Sequence, residues 1–253
     1  MKKHILNLTV TKVEAPASAF VLLRMRPVEG RMPACEPGQF AQLRVDAPGV
    51  FLRRPISIHD VEDDEVSFLV QTVGEGTRWL ASLKVGDAVN AVMPLGRGFT
   101  FYPETHQVLL VGGGVGVAPL YFLGKTLKER GVRPTFLLGA RTRDMLLRLD
   151  DFRELGDVFV TTEDGSEGER GFVTQHSLWS ERSFDLVQTC GPGPMMRAVA
   201  HLATDKGMSC EASLENRMAC GVGACLCCVE DTRHGHRCVC AEGPVFDVAE
   251  LKW

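Results

Sequence analysis

Short apolar runs alternate with glycine- and proline-containing turns over roughly the first hundred residues. The runs are rich in Val, Phe and Leu and cover residues 18–25, 39–45 and 65–71. Short strands at regular spacing, separated by turn residues, are typical of antiparallel barrels. One helical segment interrupts them near residues 77–84, and we expect Thr77 to cap its start. The pattern predicts an antiparallel β-barrel that contains one short helix.

The rhythm changes to alternating strands and helices from about residue 106 to residue 207. The run 108–111 is unbroken and apolar, which is expected of a strand that helices cover on both faces. Further strands are predicted at 135–138, 158–160 and 185–188, and helices at 120–130, 145–155 and 195–206. Alternation of this kind predicts a mostly parallel sheet with helices on both sides.

The last part of the chain, from about residue 210, is rich in cysteine and has few periodic apolar positions. We expect it to be held together by whatever its cysteines bind. The predicted fold class is therefore multidomain, β followed by α/β. An antiparallel barrel is expected over residues 1–102, a parallel-sheet α/β domain over 103–208, and a small C-terminal domain over 209–253.

Composition and charge exclude several classes of partner. The chain has 28 Lys and Arg against 32 Asp and Glu, so its formal net charge is −4 and nothing in the bulk charge favours nucleic acid. No apolar run reaches the ~18 residues of a membrane-spanning helix. The N-terminal residues lack the apolar stretch of a signal peptide. The sequence predicts a cytoplasmic protein without nucleic-acid or membrane partners.

Six of the nine cysteines lie between Cys220 and Cys240. The first three of the pattern, Cys220, Cys225 and Cys228, have the spacing C-x4-C-x2-C, followed by a distant fourth cysteine. This is the plant-type 2Fe–2S spacing, in which four thiolates hold two irons and two sulfides. A glycine-rich loop between such ligands lets the backbone wrap closely and aim N–H groups at sulfur.

Two alternatives remain open at the cysteine cluster. Four thiolates also suit a structural zinc site, although zinc sites usually combine two C-x2-C knuckles and would leave the x4 spacing unused. Cys227 and Cys238 are surplus, and either could replace a neighbouring ligand. The remaining thiols, those of Cys35, Cys190 and Cys210, are predicted to be small buried side chains.

Two segments of the predicted barrel could hold a flavin dinucleotide. In the segment 53–58, Arg54 could pair with a pyrophosphate and Ser57 could face the isoalloxazine edge. The sequence Gly-Glu-Gly-Thr at 74–77 opens the short helix, where free N–H groups favour a phosphate. Each motif alone also fits a solvated surface or a simple turn.

Glycine-rich or hydroxyl-rich loops follow three strands of the predicted parallel sheet. Four glycines in five residues occupy 112–116 between a buried strand and a helix, but Val117 stands where a G-x-G-x-x-G fingerprint has its third glycine. The turn 190–192 follows the last strand of this region, and the segment 161–166 follows another. Because the carboxyl ends of parallel strands meet at one edge, the loops predict a shared ligand crevice.

The order of these motifs resembles the ferredoxin–NADP reductase superfamily. The relevant texts are Arg-Pro-x-Ser at 54–57, Gly-x-Gly-Thr at 74–77, the glycine-rich turn and Ala-Pro at 112–119, and Cys-Gly-Pro-x-x-Met at 190–195. The segments 215–225 and 240–246 are similar to the electron transfer subunits of class 1B dihydroorotate dehydrogenases. The resemblance covers essentially the whole chain.

The resemblance implies a set of binding residues. FAD would contact Arg54, Pro55, Ile56 and Ser57, the strand residues Val70, Gln71 and Thr72, and the turn at Gly76 and Thr77. NAD would be lined by Gly112, Gly113, Gly114, Gly116, Cys190, Gly191 and Pro192. The cluster would be ligated by Cys220, Cys225, Cys228 and Cys240, because the family's fourth cysteine precedes the x-x-Gly-Pro-Val-Phe run. Many relatives carry a Tyr-Arg-like pair where this chain has Val70 and Gln71.

The resemblance also implies the chemistry. A nicotinamide exchanges hydride, an iron–sulfur cluster exchanges single electrons, and a flavin can do both. One FAD and one 2Fe–2S cluster per chain would pass electrons from an FMN-containing dihydroorotate dehydrogenase catalytic subunit to diffusible NAD+ in pyrimidine biosynthesis, within a heterotetramer of two copies of each subunit. No catalytic acid–base side chain is required. NAD and NADP both remain open as acceptor.

Three other functions remain open from the sequence. A reductase subunit of a sulfhydrogenase, or of an NADH-dependent ferredoxin–NADP reductase, would share the fold and cofactors but have another partner. A redox sensor that regulates a partner without turnover is supported only by the surplus thiols Cys227 and Cys238. A zinc-stapled binding module would follow if the cysteines held zinc.

Overall fold

Seven antiparallel strands from residues 4–95 form a curled sheet, an open half-barrel. They are β1 (His4–Ala17), β2 (Phe20–Pro27), β3 (Phe40–Leu43), β4 (Arg54–Ser57), β5 (Asp60–Glu62), β6 (Glu65–Gln71) and β7 (Ala88–Leu95). Their order in the sheet is β4-β3-β7-β1-β2-β6-β5. The strands follow the period-two pattern of the sequence, so alternate apolar side chains fill the half-barrel. The computed structural model describes residues 2–102 and 105–253.

The short helix α1 (Glu75–Ala81) begins earlier than the sequence indicated. The prediction that Thr77 caps it is wrong, because Gly74 is the residue before the first helical turn. Thr77 lies inside the first turn instead. Its hydroxyl accepts hydrogen bonds from the backbone N–H groups of Val73 and Gly74 at 2.9 and 3.0 Å. The side chain therefore fixes the turn from within the helix.

The second sheet is parallel apart from its last strand. It contains β8 (Val108–Gly113), β9 (Thr135–Ala140), β10 (Asp157–Thr162), β11 (Glu169–Arg170), β12 (Leu186–Cys190), β13 (Ser209–Ser213) and β16 (Val245–Asp247). The strands β14 (Val229–Thr232) and β15 (Gly235–Cys238) form a separate hairpin. The order is β11-β10-β9-β8-β12-β13-β16, and β13 pairs with β16 in antiparallel register. From β8 the chain adds β9, β10 and β11 on one side and then β12 and β13 on the other, so the strand order reverses between β8 and β12. Open α/β sheets bind ligands at such a switch point.

Helices cover both faces of the second sheet. They are α2 (Val117–Glu129), α3 (Leu149–Leu155), α4 (Leu178–Glu181), α5 (Gly193–Asp205) and α6 (Val239–Glu242), with single 3₁₀ turns at Gly114–Gly116, Arg143–Met145, Val173–Gln175 and Val248–Glu250. Side chains of β8 alternate between the two covered faces: Leu110 packs with Leu120 of α2, whereas Leu109 and Val111 pack with Val199 of α5. This explains why the strand is apolar without interruption.

The prediction of one helix over 145–155 is wrong in its first half. A 3₁₀ turn ends at Met145, and α3 begins only at Leu149. Between them Arg148 adopts a left-handed backbone conformation with φ 54°. A helix cannot continue through such a residue.

The C-terminal segment is also built into the fold by contacts that do not involve its cysteines. β13 and β16 belong to the second sheet. The apolar side chains Leu214, Val239, Phe246 and Leu251 are buried in one cluster with Phe40 of the half-barrel. The segment therefore packs on the outside of the half-barrel by ordinary hydrophobic burial. The predicted division at 208/209 stays a prediction, and that at 102/103 involves residues 103–104, outside the described residues.

The half-barrel and the parallel-sheet unit contact each other through a partly buried polar seam. Lys125 of α2 forms ion pairs with Asp60 and Glu62 of β5 at 3.1 Å. His59 stacks on the ring of Tyr121 with centroids 4.7 Å apart. No helix among residues 2–102 and 105–253 is long and apolar enough to cross a membrane.

Candidate cofactor sites

Backbone N–H groups face the sulfurs of three predicted cluster ligands, Cys220, Cys228 and Cys240, and the fourth, Cys225, supplies one of these N–H groups. The N–H groups of Val222 and Cys225 each lie 3.4 Å from Sγ of Cys220. Gly223 donates its N–H to Sγ of Cys240 at 3.1 Å, and the N–H of Cys240 lies 3.4 Å from Sγ of Cys228. N–H donation to sulfur is the backbone arrangement that iron–sulfur clusters use. The chemistry of this donor set fits a 2Fe–2S cluster.

The surplus thiols have different surroundings. Sγ of Cys238 lies 3.9 Å from the carbonyl oxygen of Gly223 and, within the described part of the chain, accepts no backbone N–H. Cys227 is exposed at the surface. Among residues 2–102 and 105–253, no three or more His, Cys, Asp or Glu side chains are grouped as a site for a metal ion. Assignment of Cys220, Cys225, Cys228 and Cys240 as the ligands remains our interpretation.

The cluster loop has a buried side and an open side. Cys228 and Cys240 are 2% and 0% exposed, whereas Cys225 is exposed. Donation from the backbone, first from the N–H of Val222, lowers the pKa of the Cys220 thiol to about 6. Burial raises the pKa of the Cys240 thiol to about 12. The thiolate is the form that ligates metal, so the loop backbone favours it at Cys220.

A cleft of about 400 Å³ joins the half-barrel to the segment that leads into the cluster loop. Seven predicted FAD residues line it, namely Arg54, Pro55, Ile56, Ser57, Val70, Gln71 and Thr77. Its other walls come from Val115, Ala118, Pro244 and the six residues 213–218. The cleft therefore ends two residues before Cys220 in the sequence.

The guanidinium of Arg54 is positioned at this cleft by its own loop. Nη1 donates to the carbonyl oxygen of Leu52 at 2.7 Å. Among the described residues no carboxylate forms an ion pair with Arg54, which leaves its charge available. Gly76 packs so closely that a Cβ there would lie 2.5 Å from Nε of Arg54. A guanidinium without a carboxylate partner beside helical N–H groups fits the pyrophosphate of a dinucleotide.

The three residues predicted on the second flavin strand do not all lie in the cleft wall. Val70 and Gln71 are the last residues of β6, and both line the cleft. Thr72 lies beyond the strand, and its hydroxyl donates to the carbonyl oxygen of Ala19 at 3.0 Å. The sequence did not indicate that this hydroxyl is already bonded within the protein.

The two loops predicted to bind NAD lie against each other at the switch point of the second sheet. Cys190 at the end of β12 pairs with Gly112 at the end of β8. A Cβ on Gly116 would overlap the carbonyl oxygen of Cys190. A Cβ on Gly191 would lie 3.0 Å from the carbonyl oxygen of Gly113. Glycine is thus required for the two loops to approach so closely.

Hydrogen bonds within the third loop, at 161–166, and to the neighbouring Arg143 hold its conformation. The carboxylate of Asp164 accepts from the N–H and the hydroxyl of Ser166 at 3.0 and 2.6 Å. The N–H of Arg143 donates to the hydroxyl of Ser166 at 2.8 Å. The Thr161 hydroxyl is buried without a partner among the described residues.

Sequence reasoning missed Glu215 as a residue of the flavin cleft. It lines the cleft together with Ser57 and Arg54. Desolvation raises the pKa of the Glu215 carboxyl. Burial raises the pKa of the Cys190 thiol, and the charge of Glu215 adds to that shift. The sequence indicated residues 215–218 only as part of the stretch 215–225 that resembles the family, and nothing in their composition marks them as a cleft wall.

Comparison with known proteins supports the cluster-binding and NAD-binding parts of the chain. Residues 215–252 match the family model "Iron-sulfur cluster binding domain of dihydroorotate dehydrogenase B", and residues 110–201 match "Oxidoreductase NAD-binding domain". The chain is 42% identical over 225 residues to the dihydroorotate dehydrogenase B (NAD(+)) electron transfer subunit of Shouchella clausii, covering 85% of this chain and 86% of that protein. The protein of the same name from Fusobacterium nucleatum is 40% identical over 227 residues, with 85% and 86% covered.

Solved structures share the fold. A structure described as an NADH-dependent reduced ferredoxin–NADP oxidoreductase, studied for flavin-based electron bifurcation, is 33% identical with a TM-score of 0.85 and covers 97% of this chain and 90% of that chain. A ferredoxin reductase of carbazole 1,9a-dioxygenase is 21% identical with a TM-score of 0.70, covering 82% of this chain and 67% of that chain. The second similarity concerns the fold alone.

Proposed function

The chain belongs to the family of dihydroorotate dehydrogenase B electron transfer subunits, and from that premise we propose that it passes electrons from dihydroorotate oxidation to NAD+. Its relatives are named as one subunit of a larger enzyme, so it acts with a catalytic partner. We take that partner to be an FMN-containing subunit that oxidises dihydroorotate to orotate, a step of pyrimidine biosynthesis, in an assembly of two copies of each subunit.

The observation that carries this proposal is the shared cleft. One wall is the motif Arg54–Ser57, and the opposite wall is the segment 213–218, which continues into Cys220. Val115 of the glycine-rich turn also lines the cleft, so a flavin bound there would contact both that turn and the segment that leads into the cluster loop. Residues of this cleft would hold the FAD, which would supply both one-electron and hydride chemistry.

The residues of this chain bind and orient these groups. We assign the pyrophosphate of FAD to Arg54 and to the helix start at Gly76 and Thr77. We assign the flavin ring to Ser57 and the ends of β4 and β6. The turns 112–116 and 190–192 would position NAD over the cleft from the switch point of the second sheet. No side chain needs to act as an acid or base in this scheme.

The open side of the cluster loop is the face we assign to the partner. Val222 and Leu226 are 41% and 63% exposed there, beside the exposed Cys225 and Cys227. Exposed apolar side chains at one face are typical of interaction sites. Docking at this face would bring the partner's flavin near the cluster and shield the thiols from solvent.

A reconstitution experiment tests the proposed function. The purified FMN-containing subunit is assayed anaerobically for NAD+ reduction with dihydroorotate, alone and after addition of this chain. We expect NAD+ reduction only with both subunits, whereas an artificial dye is reduced by the catalytic subunit alone. Equal NAD+ reduction without this chain would refute the proposal.

A second function is favoured by one comparison. The bifurcating ferredoxin–NADP oxidoreductase structure covers 97% of this chain, more than the curated relatives cover. In that case the chain would carry the same cofactors but serve another partner. Copurification with a catalytic subunit that uses ferredoxin and NADPH, in place of dihydroorotate, would favour it.

A further inference from the structure

Gln42 of β3 points away from the half-barrel interior. Its neighbours Ala41 and Leu43 pack in the core of the half-barrel, whereas Phe40 packs with the C-terminal segment beside Cys228 and Cys240. Side chains of a strand alternate between its two faces, so Gln42 shares the outer face with Phe40. This face carries the cluster-binding segment, and Gln42 is 0% exposed beneath it.

The side-chain amide of Gln42 has no hydrogen-bond partner among the described residues. Both Nε2 and Oε1 are buried and unbonded. Buried amides are nearly always hydrogen-bonded, because an unpaired buried donor or acceptor is costly. The other buried glutamine with an unbonded atom, Gln188, still donates its Nε2 to Thr100 and Glu211. The orphaned amide of Gln42 therefore indicates a partner that binds at this place.

The amide lies against the cluster loop. A Cβ on Gly221 would lie 2.6 Å from Cγ and 2.9 Å from Nε2 of Gln42. Gly221 has φ +71°, and it connects Cys220 to Val222, whose N–H lies 3.4 Å from Sγ of Cys220. Only glycine allows the loop both this backbone conformation and this close approach to Gln42.

The backbone of Gln42 ties the same position to the flavin strand. Gln42 pairs with Pro55 of β4 in antiparallel register. Its carbonyl oxygen accepts from Nη1 of Arg53 at 3.2 Å. A single residue thus joins the predicted flavin motif to the loop that holds Cys220.

We propose that Gln42 is a positioning residue for the cluster: its Nε2 donates a hydrogen bond to sulfur at the Cys220 end of the bound 2Fe–2S centre. The assignment rests on the proposed function, because it requires the cluster in this loop. Donation to sulfur stabilises the more negative, reduced form and raises the one-electron reduction potential. The half-barrel thereby adjusts the driving force between cluster and flavin through one side chain.

Replacement of the amide tests the proposal. Gln42→Met keeps the length of the side chain and removes the donor, and Gln42→Glu keeps the shape and replaces the donor with an acceptor. We expect Gln42→Met to lower the equilibrium constant for one-electron reduction of the cluster about tenfold, which is a decrease of about 59 mV in its reduction potential. We expect Gln42→Glu to lower it further. The measurement is a redox titration of the complete complex followed by electron paramagnetic resonance.

Two controls distinguish donation from packing. Gln188→Met removes an equally buried amide far along the chain, in β12, and we expect it to leave the cluster potential unchanged. In the unaltered protein with ¹⁵N-labelled glutamine side chains, pulsed resonance should show a nitrogen coupling to the reduced cluster. This measurement needs no variant to fold.

The outcomes separate this proposal from the proposed function. If iron is present, but Gln42→Met leaves the potential unchanged and no side-chain nitrogen couples to the cluster, the role of Gln42 is overturned and the electron route stands. If the anaerobically prepared protein binds no iron, both fall. A lowered potential together with the nitrogen coupling establishes the hydrogen bond.

Discussion

Gly76 lies directly beneath the guanidinium of Arg54, so that a Cβ at position 76 would stand 2.5 Å from Nε and 3.0 Å from Nη2. The relationship explains why the helix start in the half-barrel requires a residue without a side chain. It also places the only charge that we assign to the FAD pyrophosphate next to the first turn of α1.

Gly76→Ala should weaken FAD binding by displacing Arg54. We expect the FAD dissociation constant to rise about tenfold, which corresponds to about 1.4 kcal/mol. Fluorescence titration of the flavin-depleted protein with FAD measures the change. Gly74→Ala is the matched control, because a Cβ there meets no atom within 4 Å. Equal loss of affinity in both variants would contradict the role given to Arg54.

Cys240→Ser and Cys238→Ser should differ in iron content. Sγ of Cys240 accepts the N–H of Gly223 at 3.1 Å inside the loop, whereas Sγ of Cys238 lies 3.9 Å from a carbonyl oxygen. We expect Cys240→Ser to lose most of its cluster iron and visible cluster absorption, and Cys238→Ser to keep both. Iron analysis after anaerobic purification measures this. Loss of iron in Cys238→Ser alone would exchange the two assignments.

Gly116→Ala should disturb NAD binding and leave the other cofactors in place. A Cβ on Gly116 would overlap the carbonyl oxygen of Cys190 and push the two switch-point loops apart. We expect kcat/KM for NADH in a dye-reduction assay to fall at least tenfold, with normal flavin and iron content. In the control Gly193→Ala the nearest contact is 3.5 Å from Arg197, so the kinetics should be preserved. Normal kinetics in Gly116→Ala would remove the NAD assignment from this loop.

His59 should make the free energy of unfolding depend on pH. Burial lowers the pKa of His59 to about 3 from 6.5, and the nearby charges of Arg148 and Arg24 add to the shift. Between these two pH values the unfolded chain binds a proton that the folded chain does not, so stability falls as the pH decreases from 6.5 towards 3. One proton changes the free energy by about 1.4 kcal/mol per pH unit.

His59→Phe removes this titration and keeps a ring against Tyr121. Between pH 7.5 and 4.5 we expect the unaltered protein to lose about 2 to 3 kcal/mol more stability than the variant, measured by urea unfolding. His201→Gln changes an exposed histidine and should follow the unaltered protein. Parallel pH profiles for the unaltered protein and His59→Phe would show that His59 does not carry the dependence.

Strand positions could be predicted where one face or both faces are apolar. Residues 65–71 form β6 as the pattern indicated, and the uninterrupted run 108–111 lies inside β8 with both faces covered. Local backbone conformation could not be predicted in the same way. The left-handed Arg148 splits a segment whose periodicity is helical, and Gly74 precedes the helix that Thr77 was expected to cap.

The functional sites, like the fold, could be predicted from the sequence only in part. Motif spacing indicated Arg54 and Ser57, which the structure places in β4 at the cleft, and the glycine-rich turns, which meet at the switch point of the second sheet. Glu215 and Gln42 carry no motif, since their positions depend on how the C-terminal segment packs on the half-barrel. Only the coordinates identify them: Glu215 by its place in the wall of the cleft, and Gln42 by its buried amide without a hydrogen bond among the described residues.

The central claim is that electrons reach NAD+ only through a cluster held by this chain. Its most direct test compares the complex of the unaltered chain and its catalytic partner with the same complex carrying Cys240→Ser. We predict that the variant complex still oxidises dihydroorotate with a dye and still oxidises NADH with a dye, but no longer couples dihydroorotate to NAD+ reduction. Coupled NAD+ reduction at the unaltered rate in an iron-free variant complex would contradict the account.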